Sequence, residues 1–532
     1  PPTPPAATRT RKTSKATAKK RTPTCTRKDL RKAKSKRRKC RVIEPTRPSP
    51  AGAVAAPPAT APSPDAFPVA PSTTPAAAGL STYAGPWTKA HATRLMFRAG
   101  FGPLPGQAEE LAAIGLKASV ARLLNPGGED LVGPAPADTL LVNGRFPSED
   151  RYGSLHLELL DRGARSRDQL GERMTHILHD WFAVSYPETG HYLVDHIALL
   201  RRSWRGSFRD LLINVTKDPA MLEFLDGSQN VAWAPNENYA RELQELYALG
   251  ADRGAYTEDD VREMARALTG FRADWSQQLG SHNHRYDPGR HDNTTKTLYK
   301  GTAWERSGRL RWEQAVHAVV DHPMHPSFVV LKLWAYFIPT APSAQTQAEL
   351  EQLYRKNGER LLPIIEAILL HPDLHAGPSM TKSPVVHAAS LLRATSTPIM
   401  SSTWYYLAES SGQFLGFPPN VAGWNERAWL NTSSHAARWQ FPHQVLRETG
   451  AKEAQYVDKT ESPTEAIENA IAYWGNPLVS DDVMRGLRAV AQTPWAPRTP
   501  NDPYSWSMAK FFAHRQNALR QLIAAAPDFQ VC

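Results

Sequence analysis

The stretch "PNENYARELQELYALG", residues 235–250, concentrates groups that can move protons or hold cations. Asn238, Glu242 and Glu245 fall at i, i+4 and i+7, on one face of a helix. Tyr239, Leu243 and Leu246 form the neighbouring apolar stripe. Arg241 is four residues from both Glu237 and Glu245, and Asn236 suits a helix N-cap. Two readings fit this pattern. In one, it is a capped helix with a solvated, charge-paired face. In the other, Glu242 and Glu245 are the carboxyls of a catalytic site, with Arg241 and Asn238 as polar partners. Two carboxylates a turn apart, beside a histidine from another helix, could hold a divalent cation whose bound water attacks a substrate. His179 is that histidine, with His176 on the same face, and His291 and Asp292 of "GRHDNTTK" would close the metal site. Lys296 would be its electrostatic partner toward a ligand. A metal-free acid/base pair is the alternative chemistry.

A second segment, "GFPPNVAGWNERAWLNTSSHAARW", reads as a stiffened loop that presents Asn420, Trp424 and Trp429. An indole face with amides beside it suits a sugar ring. A loop anchored in the core by its two tryptophans is the competing reading. No His-Glu-x-x-His, Gly-x-Ser-x-Gly, phosphate loop or four-ligand zinc spacing is present.

The elements that would position these residues are helical. "DQLGERMTHILHDWF" places Leu170, Met174, Ile177 and Trp181 on one stripe. "TEDDVREMARALTGF" opens with Thr257 and Asp260 in a capping-box variant and stops at Gly270. Residues 271–304 are polar, aromatic and turn-rich, which predicts a short β-hairpin or long loop inserted in a mainly α, multi-helix domain.

The chain has 532 residues and a net charge of +11, but the charge is uneven. Residues 1–50 hold 18 basic and 2 acidic residues, and the rest carries a net charge of −5. The expected organisation is a disordered basic tail (1–50), a Pro/Ala/Thr-rich linker (51–85), a helical domain (86–445) and a C-terminal helical extension packed on it (446–532). The tail suits an anionic envelope polymer or lipid surface. It lacks interleaved aromatics, which argues against nucleic acid. The three cysteines lie at 25, 40 and 532. A Cys25–Cys40 disulfide would close a 16-residue loop in an oxidising compartment, the alternative being two unpaired thiols. The chain begins "PPTPPAATRT" without Met, as after removal of a signal peptide, and no apolar run is long enough to span a membrane. These features predict export to the periplasm, cell wall or medium.

"RAGFGP", "FRDLLINVTKDPAMLEFLDGSQN", "PNENYARELQELYALG", "YTEDDVREMARALTGF", "HDNTTKTLYKG", "LKLWAYF", "KSP" and "FPPNVAGW…WLNT" follow one another in this chain. In that order they resemble the bacterial domain-of-unknown-function 1800 family. The resemblance implies a large, mainly helical, commonly exported domain. It also implies a co-exported sulfatase- or phosphatase-like protein as a partner, and it supplies no reaction. Family members usually carry a Trp-His-Asn-His-Phe-like stretch before the "FRDLL" motif. Here it reads "LHDWF": His179 matches the first histidine and Trp181 replaces the second. The function expected is an exported hydrolase, metal-assisted or not, acting on a glycan or envelope polymer. The alternative is a non-catalytic surface binding or scaffold protein tethered by its tail.

Overall fold

Short polar side chains start most of the helices that build the domain. Asp168 accepts the Gly171 amide, Ser207 the Asp210 amide and Asp218 the Met221 amide, each satisfying a donor that the first helical turn leaves free. Thr257 and Asp260 form the expected reciprocal capping box. The computed structural model describes residues 79–128, 130–147, 153–494 and 507–532, all within one compact unit. The expected basic tail, its disulfide and nearly all of the linker lie outside the described residues.

The Gln169–Trp181 helix runs through the core. Leu170, Met174, Ile177 and Trp181 are buried along it as the apolar period requires. The Leu116–Leu124, Ser154–Arg165 and Tyr192–Ser203 helices pack against it. His196 of the last of these is sealed between Asp218 and the Phe182 carbonyl, at 2.9 and 3.0 Å. Toward the C-terminus, Met508–Ala525 packs on Thr432–Thr449 and on Pro463–Tyr473.

Among the described residues the β-strands form two small antiparallel hairpins rather than one. Phe271–Ser276 pairs with Gly280–Tyr286, with a bulge between Arg272 and Asp274. Lys296–Leu298 pairs with Arg306–Gly308. No helix among the described residues is long and apolar enough to cross a membrane.

The "PNENYARELQELYALG" segment departs from the uniform α-helix its spacing predicts. Its helix is assigned from Asn238, one residue later than an Asn236 cap implies, while the Asn236 side chain accepts the Asn238 amide at 2.9 Å, as a capping asparagine does. After Glu242 the chain widens into a π-helix, Leu243–Ala248, in which the Leu249 amide reaches back five residues to the Gln244 carbonyl. Such wide turns often mark functional positions.

Candidate functional site

The structure leaves Glu242 and Glu245 unpaired by cations, at the junction of the α and π turns. Burial, followed by the charge of Glu245, pushes the Glu242 carboxyl up to about 7. Arg241 forms its ion pairs elsewhere, and its charge only partly offsets the rise at Glu242. It binds Glu258 at 2.7 Å and Glu237 at 3.1 Å, and these contacts hold its pKa above the usual arginine value. Asn238 is turned away to Asp226 at 2.9 Å.

The expected metal ligands are engaged separately, each by its own neighbours. His179 Nε2 accepts the Gly416 amide at 3.1 Å, and its ring packs on Trp424. His291 Nδ1 faces the Thr269 carbonyl at 2.9 Å. Asp292 pairs with Arg266 and accepts the Thr294 amide, both at 2.8 Å; although burial opposes it, these contacts draw its carboxyl down to about 2. Lys296 is fully buried and donates to the carbonyls of Asp292 and Thr294, so "HDNTTK" clips itself onto Arg266 and Thr269. Among the described residues no three His, Cys, Asp or Glu side chains gather around a common ion position. The loop tryptophans also differ from the exposed platform. Trp424 and Trp429 are only 8% and 7% exposed, so both indoles anchor the loop in the core, while Asn420 remains exposed and caps Ala422.

What the loop does reach is Asp180. The Gly-Trp turn sets the Trp424 amide on Asp180 Oδ1 at 2.8 Å. Gly423 has φ +84°, and a Cβ there would lie 2.3 Å from the same oxygen, so only glycine allows this approach. Tyr336 donates to Asp180 Oδ2 at 2.6 Å. Burial raises the Asp180 carboxyl, against the pull of these two donors and of the Lys332 and Arg173 charges. Glu426, two residues beyond Trp424, joins the group. By surface area it is exposed, yet protein atoms crowd it closely. This enclosure, followed by the Asp180 charge, pushes Glu426 up to about 7.

Lys332 acts on Asp180 through its charge. It donates to the Leu246 carbonyl at 3.1 Å, and its ammonium lies 5.0 Å over the Trp181 ring. Trp181 therefore supplies a cation platform and an anchor, its indole NH donating to the Tyr247 carbonyl at 3.2 Å. Sequence reasoning missed Asp180, Arg173, Tyr336, Lys332 and Glu426. The signal available was Asp180 inside "LHDWF" and Lys332 and Tyr336 inside "LKLWAYF", both motif segments.

Fold and site together define a mainly helical domain in which a glycine-tryptophan loop closes on the buried Asp180 carboxyl. The chain belongs to the DUF1800 family, described as a protein of unknown function, whose model matches residues 94–531. Comparison with curated proteins and with solved structures returned no match.

Proposed function

We propose that this domain is a hydrolase of a glycan or cell-envelope polymer, working by acid/base catalysis at the Asp180–Glu426 pair. The observation that supports it most is the contrast between the two carboxyls. Asp180 is tied through both oxygens, whereas Glu426 makes no hydrogen bond and stays within reach of water. A carboxyl with a pKa near 7 can protonate a leaving oxygen or take a proton from water at neutral pH. Arg173 supplies positive charge to Glu426, and Lys332 and Arg173 supply it to Asp180. An exported placement accords with the lack of cysteine between residues 41 and 531, and the basic residues 1–50 would hold the protein to envelope polyanions in a salt-sensitive way.

The test is product release from peptidoglycan, teichoic acid and neutral polysaccharide by wild type, Glu426→Gln and Glu242→Gln. Glu426→Gln should lose at least 100-fold in turnover with its melting temperature kept. Loss in Glu242→Gln alone would move the acid to the π-turn. Absence of turnover by wild type on every polymer would favour the second reading, a surface binding protein. That reading draws on Trp233 and Trp275, which stand 71% and 77% exposed.

A further inference from the structure

A pocket of about 490 Å³ lies between the Lys89–Arg98 helix, residues 474–480 and residues 528–532. Phe97, Leu104, Ala394, Trp474 and Phe529 give it apolar walls, and its size is that of a small-molecule site. Neither Asp180 nor Glu426 lines it. One cation is sealed into the wall. Lys382 is 3% exposed, with its ammonium 3.7 Å from the Phe97 ring centre and 4.5 Å from that of Phe529. An ammonium has three donors, and Lys382 gives one to the Phe529 carbonyl at 2.8 Å.

Positive charge is in excess here. The negative charge of Cys532 bears on Arg94, Arg98 and Lys382 alike, and Arg98 holds the Cys532 oxygen at 2.8 Å. Arg438 adds a further positive charge on Lys382. Arg94, also on the lining, donates to the His375 and Gly377 carbonyls, which satisfy its hydrogens without neutralising it. The carboxylates of the lining are engaged elsewhere, Glu109 by Lys89 at 2.7 Å and Asp528 by the Ser480 amide at 2.6 Å. Burial, more than the Arg438 charge, draws the Lys382 amine down to about 7. A buried ammonium is costly until an anion pairs with it.

We propose that this pocket binds a small carboxylate with an apolar body, its carboxylate paired with Lys382 and its hydrocarbon against Phe97, Leu104 and Trp474. The apolar walls take the body, and the cation excess selects the sign of the head group.

Calorimetry of the full chain with octanoate, octanamide and acetate at fixed ionic strength tests this. Octanoate should bind wild type about tenfold more tightly than either of the others, since octanamide lacks the charge and acetate the body. Lys382→Met keeps the stem and removes the ammonium, and it should abolish the preference for octanoate over octanamide. Leu478 lines the pocket and is 69% exposed, so Leu478→Glu leaves the core untouched and serves if the methionine variant does not fold. Its added carboxylate should weaken octanoate by about threefold and leave octanamide unchanged. Equal binding of octanoate and octanamide by wild type, or a preference unchanged in both variants, overturns the proposal. Acetate binding as tightly as octanoate would overturn it too, by reducing the pocket to a place for any anion.

Discussion

Tyr336 and Asp180 meet at 2.6 Å across 156 residues of chain, and the same carboxylate holds the Trp424 amide. One side chain thus joins the core helix, the "LKLWAYF" helix and the Gly-Trp loop. Tyr336→Phe deletes one leg of this joint. The expected cost is about 1–3 kcal/mol, because a buried carboxylate oxygen is left without its donor. Hydrogen exchange should show residues 416–431 opening more often while the Gln169–Trp181 helix keeps its protection. Unchanged exchange in the loop would mean that Trp424 is held from elsewhere.

Gly423→Ala attacks the joint from the other side. The added Cβ would sit 2.3 Å from Asp180 Oδ1 and 2.5 Å from the Asp180 carbonyl oxygen. The loop must move away, at a cost of roughly 2–4 kcal/mol from the clash and the positive φ together. Turnover should disappear while far-ultraviolet circular dichroism stays helical. A fully active alanine variant would show that loop contact with Asp180 is dispensable.

Glu242 sets a pH dependence of stability with a definite sign. Its carboxyl rises from 4.5 to about 7 on folding, so the folded state holds the proton more tightly than the unfolded chain. Its stabilising contribution is complete below the unfolded value and is lost as pH climbs through the folded one. Glu242→Gln should therefore gain on wild type between pH 5 and pH 8, by on the order of 1–2 kcal/mol. Urea titrations at the two pH values check it, and wild type gaining on the variant would contradict the shift.

Asp260 ties a helix start to the second hairpin. Its Oδ2 accepts the Thr257 amide and hydroxyl at 2.8 Å each, and Oδ1 accepts the Tyr299 amide at 2.5 Å. Asp260→Ala should cost roughly 3–4 kcal/mol, since a cap is lost and a buried amide is orphaned. A loss under about 0.5 kcal/mol in urea denaturation, the range of ordinary surface substitutions, would show that water replaces these contacts.

The helical frame was readable because its signals are local. The Thr257–Asp260 box and the Leu170–Met174–Ile177–Trp181 stripe depend on residues three or four apart, and both hold. The burial of Tyr239, Leu243 and Leu246 holds for the same reason. The π-turn after Glu242 was not readable, since nothing in "LQELYA" distinguishes it from an ordinary amphipathic helix. The Asp180–Glu426 pair was still less so. Glu426 in "GWNERAW" looks like a solvated loop charge until a residue 244 positions before Trp424 folds beneath it. The same distance effect left the loop tryptophans open between sugar platform and core anchor, and only tertiary packing decides for the anchor.

The wide turn at Leu243–Ala248 has a consequence for how this sequence can vary. It behaves as an α-helix carrying one surplus residue. Losing a single codon there would restore ordinary winding, at about 100° per residue, and swing one end of the segment relative to the other. Tyr247, packed on Phe182, and Glu242 could not then both keep their places. In this turn a deletion would be felt as a change of direction rather than of length, and chain length at this point is as binding a constraint as the identity of any side chain.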